Sequence, residues 1–200
     1  QVKLLIQRDQ ETFEVRLERD VIPEDTVQGK LDANDPTIGS IQIDNFSETT
    51  ALEFRTIIEK LRDEGAKSFV IDLRQNSASL LDDAERIASY FLDNGDTIAQ
   101  FSNNEKVISI DKASKKLDQG FKVKEPTVFL VDQESSYGAE LLAAAVKNKN
   151  YPVIGVNTFG KGSVQTINPI GKDTYVQLTI MKWYTPDGTS VEGKGVTPTI

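Results

Sequence analysis

The stretch Ser68-Phe69-Val70-Ile71-Asp72-Leu73 decides the fold class of this 200-residue chain. It is a short apolar run that leads into a polar segment, and such runs are typical of strands buried on both faces of a parallel sheet. Two further runs of this type follow at residues 127–131 and 152–155. We therefore predict that three buried strands form the centre of the molecule.

Helical periodicity separates these runs. Residues 49–64 place Leu52, Phe54, Ile58 and Leu61 at helical spacing, and a glycine after them fits a helix C-cap. Residues 82–92 and 138–147 show the same period. Strands that alternate with helices predict an α/β fold with a largely parallel sheet and crossover helices.

The two ends of the chain are rich in residues that alternate between apolar and polar, which is typical of half-buried strands. Between them, residues 20–36 carry two prolines and predict an irregular connection. The predicted strands and hairpin of these β-rich flanks lie at residues 2–6, 12–17, 38–43, 97–110, 163–167 and 174–183.

The chain contains no His and no Cys, which excludes several kinds of site. A Ser-His-Asp triad, a helical zinc-protease motif, a thiol nucleophile and a disulfide are all impossible. Covalent catalysis would need Ser, Thr, Lys or a carboxylate. No metal cluster or cofactor motif is evident. The net charge of −8 and dispersed basic residues argue against nucleic acid as a partner.

One candidate site lies between the strand at 127–131 and the next helix. Ser135 and Ser136 stand at the helix entrance, where free backbone N–H groups and the helix dipole could assist a nucleophile. The same position is also typical of a serine that only caps the helix. The pattern leaves both interpretations open.

A second candidate is Lys161, which lies between two glycines that allow close approach of other backbone segments. A neutral lysine amine in an apolar setting can accept the proton of a serine hydroxyl. The alternative is a lysine in an exposed turn. A phosphate-binding loop does not fit, because the first glycine of that motif is missing.

These residues resemble the carboxyl-terminal processing, or tail-specific, peptidases. The family signature around the catalytic lysine is matched almost letter for letter by Thr158-Phe159-Gly160-Lys161-Gly162-Ser163-Val164-Gln165-Thr166. Further matches in the same order lie at residues 39–46, 71–76, 184–188 and 193–198.

The resemblance implies an α/β core related to crotonase and to Clp-type peptidases. It implies that residues 1–19 are the last strands of a PDZ domain and its linker, and that residues 20–200 are the peptidase core. Relatives are exported, so we expect a location in the cell envelope or secretion, with a membrane anchor in the full-length protein. The implied substrates are the carboxyl-terminal tails of proteins. The sequence does not indicate an oligomeric state.

The resemblance also implies roles for individual residues. Lys161 matches the general base, and Gln165 matches the glutamine that orients it. The family nucleophile is the middle serine of Ser-Ala-Ser-Ala-Ser-Glu. Counting back from Glu140 places it at Tyr137, whereas counting back from Lys161 places it at Ser136. Ser136 is the candidate nucleophile, and Ser135 remains an alternative.

The loop that supplies an oxyanion N–H also departs from the family pattern. Relatives carry Asn-Pro-Gly-Gly, where this chain has Asn76-Ser77-Ala78-Ser79. We expect the N–H groups of Tyr137 and Ala78 to face the oxyanion. The departures leave a second hypothesis open, which is a catalytically silent module that binds peptide tails by strand addition. A third hypothesis is a regulatory scaffold.

Overall fold

A computed structural model describes residues 1–18, 25–77, 80–103 and 106–200. Strands and helices alternate through the middle of the chain, as the periodicity predicts. In chain order the elements are β1 (Val2–Arg8), β2 (Glu11–Leu17), β3 (Val27–Leu31), β4 (Ile38–Ile43), α1 (Thr50–Asp63), β5 (Ser68–Asp72), α2 (Leu81–Phe91), β6 (Thr97–Asn103), β7 (Lys106–Lys112), α3 (Lys115–Asp118), β8 (Thr127–Val131), α4 (Gly138–Lys147), β9 (Val153–Gly155), β10 (Ser163–Pro169) and β11 (Tyr175–Tyr184).

The central sheet has five strands in the order β3-β4-β5-β8-β9. The last four are parallel, and β3 runs antiparallel along one edge. Ile41, Ile71 and Phe129 stand side by side on neighbouring strands and are fully buried. Because parallel strands end at the same edge, the loops after β5 and β8 meet there. The α/β class with a largely parallel sheet is confirmed.

A second, antiparallel sheet has the order β10-β11-β6-β7. Trp183 on β11 is buried and pairs with Phe101 on β6, which ties this sheet to the core. Strands β10 and β7 are its edges. The β-rich flanks that the sequence predicts are therefore present.

The hairpin β1–β2 forms a separate two-stranded sheet. On one face the pair Arg8 with Glu11 is charged, whereas the other three pairs join apolar residues across the two strands. These residues are Val2, Leu4, Ile6, Phe13, Val15 and Leu17. Leu4, Phe13 and Leu17 remain 39–46 % exposed.

Two features differ from the expectation. The predicted irregular connection at 20–36 contains β3, which the periodicity missed because its five residues include a glycine and a lysine. Residues 20–24 of that segment lie outside the described part. The short helix α3 was also not predicted. Within the described ranges, no helix is both long and apolar enough to cross a membrane.

Candidate active site

A cleft of about 570 Å³ opens where the loops after β5 and β8 meet the segment that leads into β10. It brings together three residues that the sequence singles out, namely Ser136, Lys161 and Gln165. The lining residues are Ser77, Glu134, Ser136, Phe159, Gly160, Lys161, Ser163, Gln165 and Glu192. Ala78, the other oxyanion candidate, lies outside the described residues.

The carboxylate of Glu140 joins the start of α4 to the lysine loop. This side chain is fully buried and accepts four hydrogen bonds. Oε1 accepts from the Thr158 hydroxyl at 2.5 Å and from the Gly160 N–H at 2.6 Å. Oε2 accepts from the N–H groups of Tyr137 and Lys161, both at 2.9 Å. The Glu140 side chain thus fixes both the start of α4 and the lysine loop. The hydrophobic periodicity had identified Glu140 only as part of a helix.

Glycines allow the lysine loop to pack closely against the turn at residues 191–195. A Cβ atom at Gly162 would lie 2.6 Å from the Glu192 nitrogen. A Cβ atom at Gly195, where φ is +71°, would lie 2.3 Å from the Thr158 oxygen. The Lys161 carbonyl accepts a 2.8 Å hydrogen bond from the Trp183 indole, so the backbone of the loop is held on several sides.

Tyr137 stands at the N-cap of α4 with φ of 54° and ψ of −103°. This conformation is strained for a residue with a Cβ atom and is typical of functional sites. Burial raises the pKa of the Tyr137 phenol. The Nζ atom of Lys161 lies 5.1 Å from the centroid of the Tyr137 ring, within range of a cation–π interaction.

The two neighbouring serines differ in what their hydroxyls do. Ser135 is fully buried, and its Oγ donates to the Leu73 carbonyl at 2.8 Å and accepts from the Asp132 N–H at 2.9 Å. These bonds give Ser135 a structural role. Ser136 donates its backbone N–H to the Asn76 carbonyl at 2.9 Å, and this largely buried residue lines the cleft. Of the two, Ser136 is the one that lines the cleft.

Asp132 organises the loop that carries these serines. Burial acts to raise the pKa of its carboxyl. Hydrogen bonds from the N–H groups of Gln75, Glu134 and Ser135 outweigh that effect and hold the pKa below its usual value. The loop after β5 and the loop after β8 therefore share one charged acceptor.

The expected link between serine, lysine and glutamine is not formed in this conformation. Among the described residues, no hydrogen bond joins Lys161 Nζ to Ser136 Oγ or to the Gln165 side chain. The Gln165 side chain instead accepts a 2.6 Å hydrogen bond from Gln177 and contacts Thr179 at 3.4 Å. No group of carboxylates in the described ranges could hold a metal ion.

Residues 37–200 match the profile of peptidase family S41. The carboxy-terminal processing protease CtpA of Bacillus subtilis is 39 % identical over 189 residues, which is 94 % of this chain and 39 % of that protein. A "Probable CtpA-like serine protease" of Staphylococcus epidermidis is 32 % identical over 200 residues, which is all of this chain and 40 % of that protein. The chain thus spans about two fifths of the length of these relatives.

Solved structures show the same fold. The photosystem II D1 C-terminal processing protease superposes with a TM-score of 0.75 at 22 % identity, over 94 % of this chain and 51 % of that one. Mature CPAF superposes with a TM-score of 0.68 at 12 % identity, over 86 % of this chain and 48 % of that one. The matching sequence, the shared fold and the grouping of Ser136 with Lys161 in one cleft agree, and the chain belongs to peptidase family S41.

Proposed function

We propose that this chain is the core of a serine-type peptidase that cleaves proteins near their carboxyl termini, with Ser136 as nucleophile and Lys161 as general base. The observation that supports it is that both residues line one cleft. The Glu140 carboxylate holds the backbones on either side of that cleft. Family membership adds further support, because the relatives include a carboxy-terminal processing protease.

In the proposed reaction, Ser136 Oγ attacks the carbonyl carbon of the scissile peptide while neutral Lys161 takes the hydroxyl proton. The Tyr137 N–H, which we expected to face the oxyanion, donates to Glu140 Oε2 in this conformation, so it would have to leave that carboxylate before it could stabilise the oxyanion. Lys161 then gives the proton to the leaving amine, and water releases the acyl group by the same steps in reverse order. This chemistry requires Lys161 to leave the ring of Tyr137 and reach Ser136.

The proposed role of Gln165 requires a second rearrangement. Its side chain is hydrogen-bonded to Gln177 on β11. To orient Lys161 it would have to exchange this neutral surface hydrogen bond for one to the amine. Because Gln165 is exposed, we expect the exchange to cost little.

A second candidate function is peptide binding without hydrolysis. The N-cap of α4, three residues before Glu140, is the place where the family nucleophile falls by the helix count, and Tyr137 occupies it. The ring of Tyr137 also holds the lysine. The edge strand β10 carries Ser163 and Gln165 into the cleft, so an extended peptide could add to this edge.

The two candidates are separated by assaying the full-length protein on a peptide with an apolar carboxyl terminus. We expect hydrolysis that Ser136→Ala and Lys161→Ala each abolish, whereas Ser135→Ala affects mainly folding stability. Equal background turnover by all four proteins would exclude hydrolysis. If the peptide still binds in that case, as measured by fluorescence anisotropy, the binding function is supported.

We also propose that residues 1–19 end a PDZ domain and that the full-length protein is membrane-anchored outside the cytoplasm. The half-exposed apolar face of the β1–β2 hairpin supports the first part, because such a face usually packs against further structure. Cell fractionation of the full-length protein tests the second part. Recovery in the soluble cytoplasmic fraction would contradict it.

A further inference from the structure

The rim of the cleft carries two acidic side chains from different loops, Glu134 and Glu192. Both residues are exposed, and neither carboxylate forms an ion pair with a described residue. Lys161 is the only cation among the described residues that line the cleft, and it lies against the ring of Tyr137. The lining therefore has a net negative charge at its rim.

Both acidic residues are carried by well-fixed backbone. The Glu134 N–H donates to Asp132 Oδ1 at 3.0 Å, in the loop that also presents Ser136. The backbone of Glu192 packs directly against Gly162 in the lysine loop. The backbone position of each acidic residue is therefore fixed, with Glu134 beside the serine and Glu192 beside the lysine loop.

A large apolar side chain lies in the same lining. Phe159 is 65 % exposed, although its N–H donates to the Ser135 carbonyl at 3.0 Å and fixes the backbone there. Ligand clefts are commonly lined by aromatic side chains, which contact the apolar parts of a ligand. Phe159 thus offers an apolar contact in the same cleft as the two acidic residues.

We propose that Glu134 and Glu192 make this cleft selective for extended peptides that carry lysine or arginine next to an apolar residue. The inference rests on the proposed function, because it assumes that the cleft receives a peptide. The apolar residue would cover Phe159, and the basic side chains would reach the two carboxylates. A peptide with acidic residues at the same places would be repelled by both, which gives selectivity by repulsion as well as attraction.

Binding can be measured without hydrolysis, so that the two proposals fail separately. The full-length protein with Ser136→Ala is titrated into fluorescein-labelled peptides of ten residues that contain Lys-Leu-Lys, Gln-Leu-Gln or Glu-Leu-Glu. Glu134→Gln, Glu192→Gln and both together are compared in that background. Asp63→Asn is the matched control. Asp63 is an exposed acid at the end of α1, just before β5 begins, whereas the cleft lies beyond the end of β5.

We expect the lysine peptide to bind most tightly and the glutamate peptide least. Each Glu→Gln change should weaken binding of the lysine peptide about twofold to fivefold, because exposed ion pairs contribute little free energy. Binding of the glutamine peptide should not change. Raising the salt concentration should reduce the preference. Equal binding of the three peptides, no binding of any, or equal effects of Asp63→Asn would overturn the proposal. Loss of hydrolysis in the unsubstituted protein alone would not.

Discussion

Lys161 Nζ lies over the ring of Tyr137, 5.1 Å from its centroid, and this contact holds the amine that the proposed hydrolysis needs. An aromatic face attracts a cation, so the contact stabilises the lysine side chain in this position. The hydrogen bond from the Tyr137 N–H to Glu140 fixes the backbone that carries this ring at the start of α4. The identity of residue 137 should therefore control whether the site can act.

The first prediction concerns replacement of this ring. Tyr137→Ser removes the aromatic face and puts a hydroxyl at the position given by the helix count. We expect hydrolysis of a tail peptide to rise about tenfold or more, because a general base within reach contributes roughly 10²–10⁴. Tyr137→Phe is the control, since it keeps the ring and should leave the rate unchanged. A rate that falls with Tyr137→Ser would show that the tyrosine assists the reaction.

The second prediction concerns Glu140. An amide in place of this carboxylate offers one acceptor oxygen and an NH₂ group that faces N–H donors. We expect Glu140→Gln to lower the free energy of unfolding by roughly 2–3 kcal/mol, which is typical for hydrogen bonds to a charged group. Urea denaturation measures this directly. Glu134→Gln is the matched control, because that side chain is exposed. Equal stability of the two variants would contradict the role given to Glu140.

The fold could be read from the sequence where hydrophobic periodicity is strong. The bounds of β4, β8 and α4 agree with the predicted ranges 38–43, 127–131 and 138–147. Strand β3 was not predicted from the sequence, because its pairing with β4, and not its own composition, stabilises it. Tertiary contacts of this kind leave no local pattern.

The site could be read only in part. The motif indicated Lys161 and Gln165, and the helix register indicated Tyr137. The sequence could not show that the Gln165 side chain turns to Gln177, because that contact depends on how β10 pairs with β11. Nor could it show that the Ser135 hydroxyl donates a hydrogen bond to the Leu73 carbonyl, which lies on another loop. Pairings between distant segments decide these roles.

The third prediction concerns the close approach of the lysine loop and the 191–195 turn. Gly162→Ala places a methyl group where the Glu192 backbone lies, and overpacking of this kind costs roughly 1–3 kcal/mol. Gly171→Ala is the matched control, because its methyl group would meet Thr174 at an ordinary 3.6 Å. Thermal denaturation should show a lower midpoint for the first variant. A midpoint unchanged within error would mean that the turn can move away freely.

The last prediction concerns the stability of the fold at different pH values. Burial of Glu85 on α2, together with the nearby carboxylates of Asp111 and Asp82, raises the pKa of its carboxyl from 4.5 to about 8. Between these two values the folded chain binds more protons than the unfolded chain. The free energy of unfolding therefore falls as the pH rises through this range.

Each tenfold change in proton affinity corresponds to about 1.4 kcal/mol, and partial exposure reduces the full effect. We expect the free energy of unfolding of the unsubstituted chain to fall by roughly 2–4 kcal/mol between pH 5 and pH 9 relative to that of Glu85→Gln, whose amide does not titrate. Urea denaturation of both proteins at pH 5, 7 and 9 tests this. Asp111→Asn should reduce the loss, because it removes the nearest negative charge. Parallel stability curves for the unsubstituted chain and Glu85→Gln would show that the Glu85 carboxyl is solvated in the folded state.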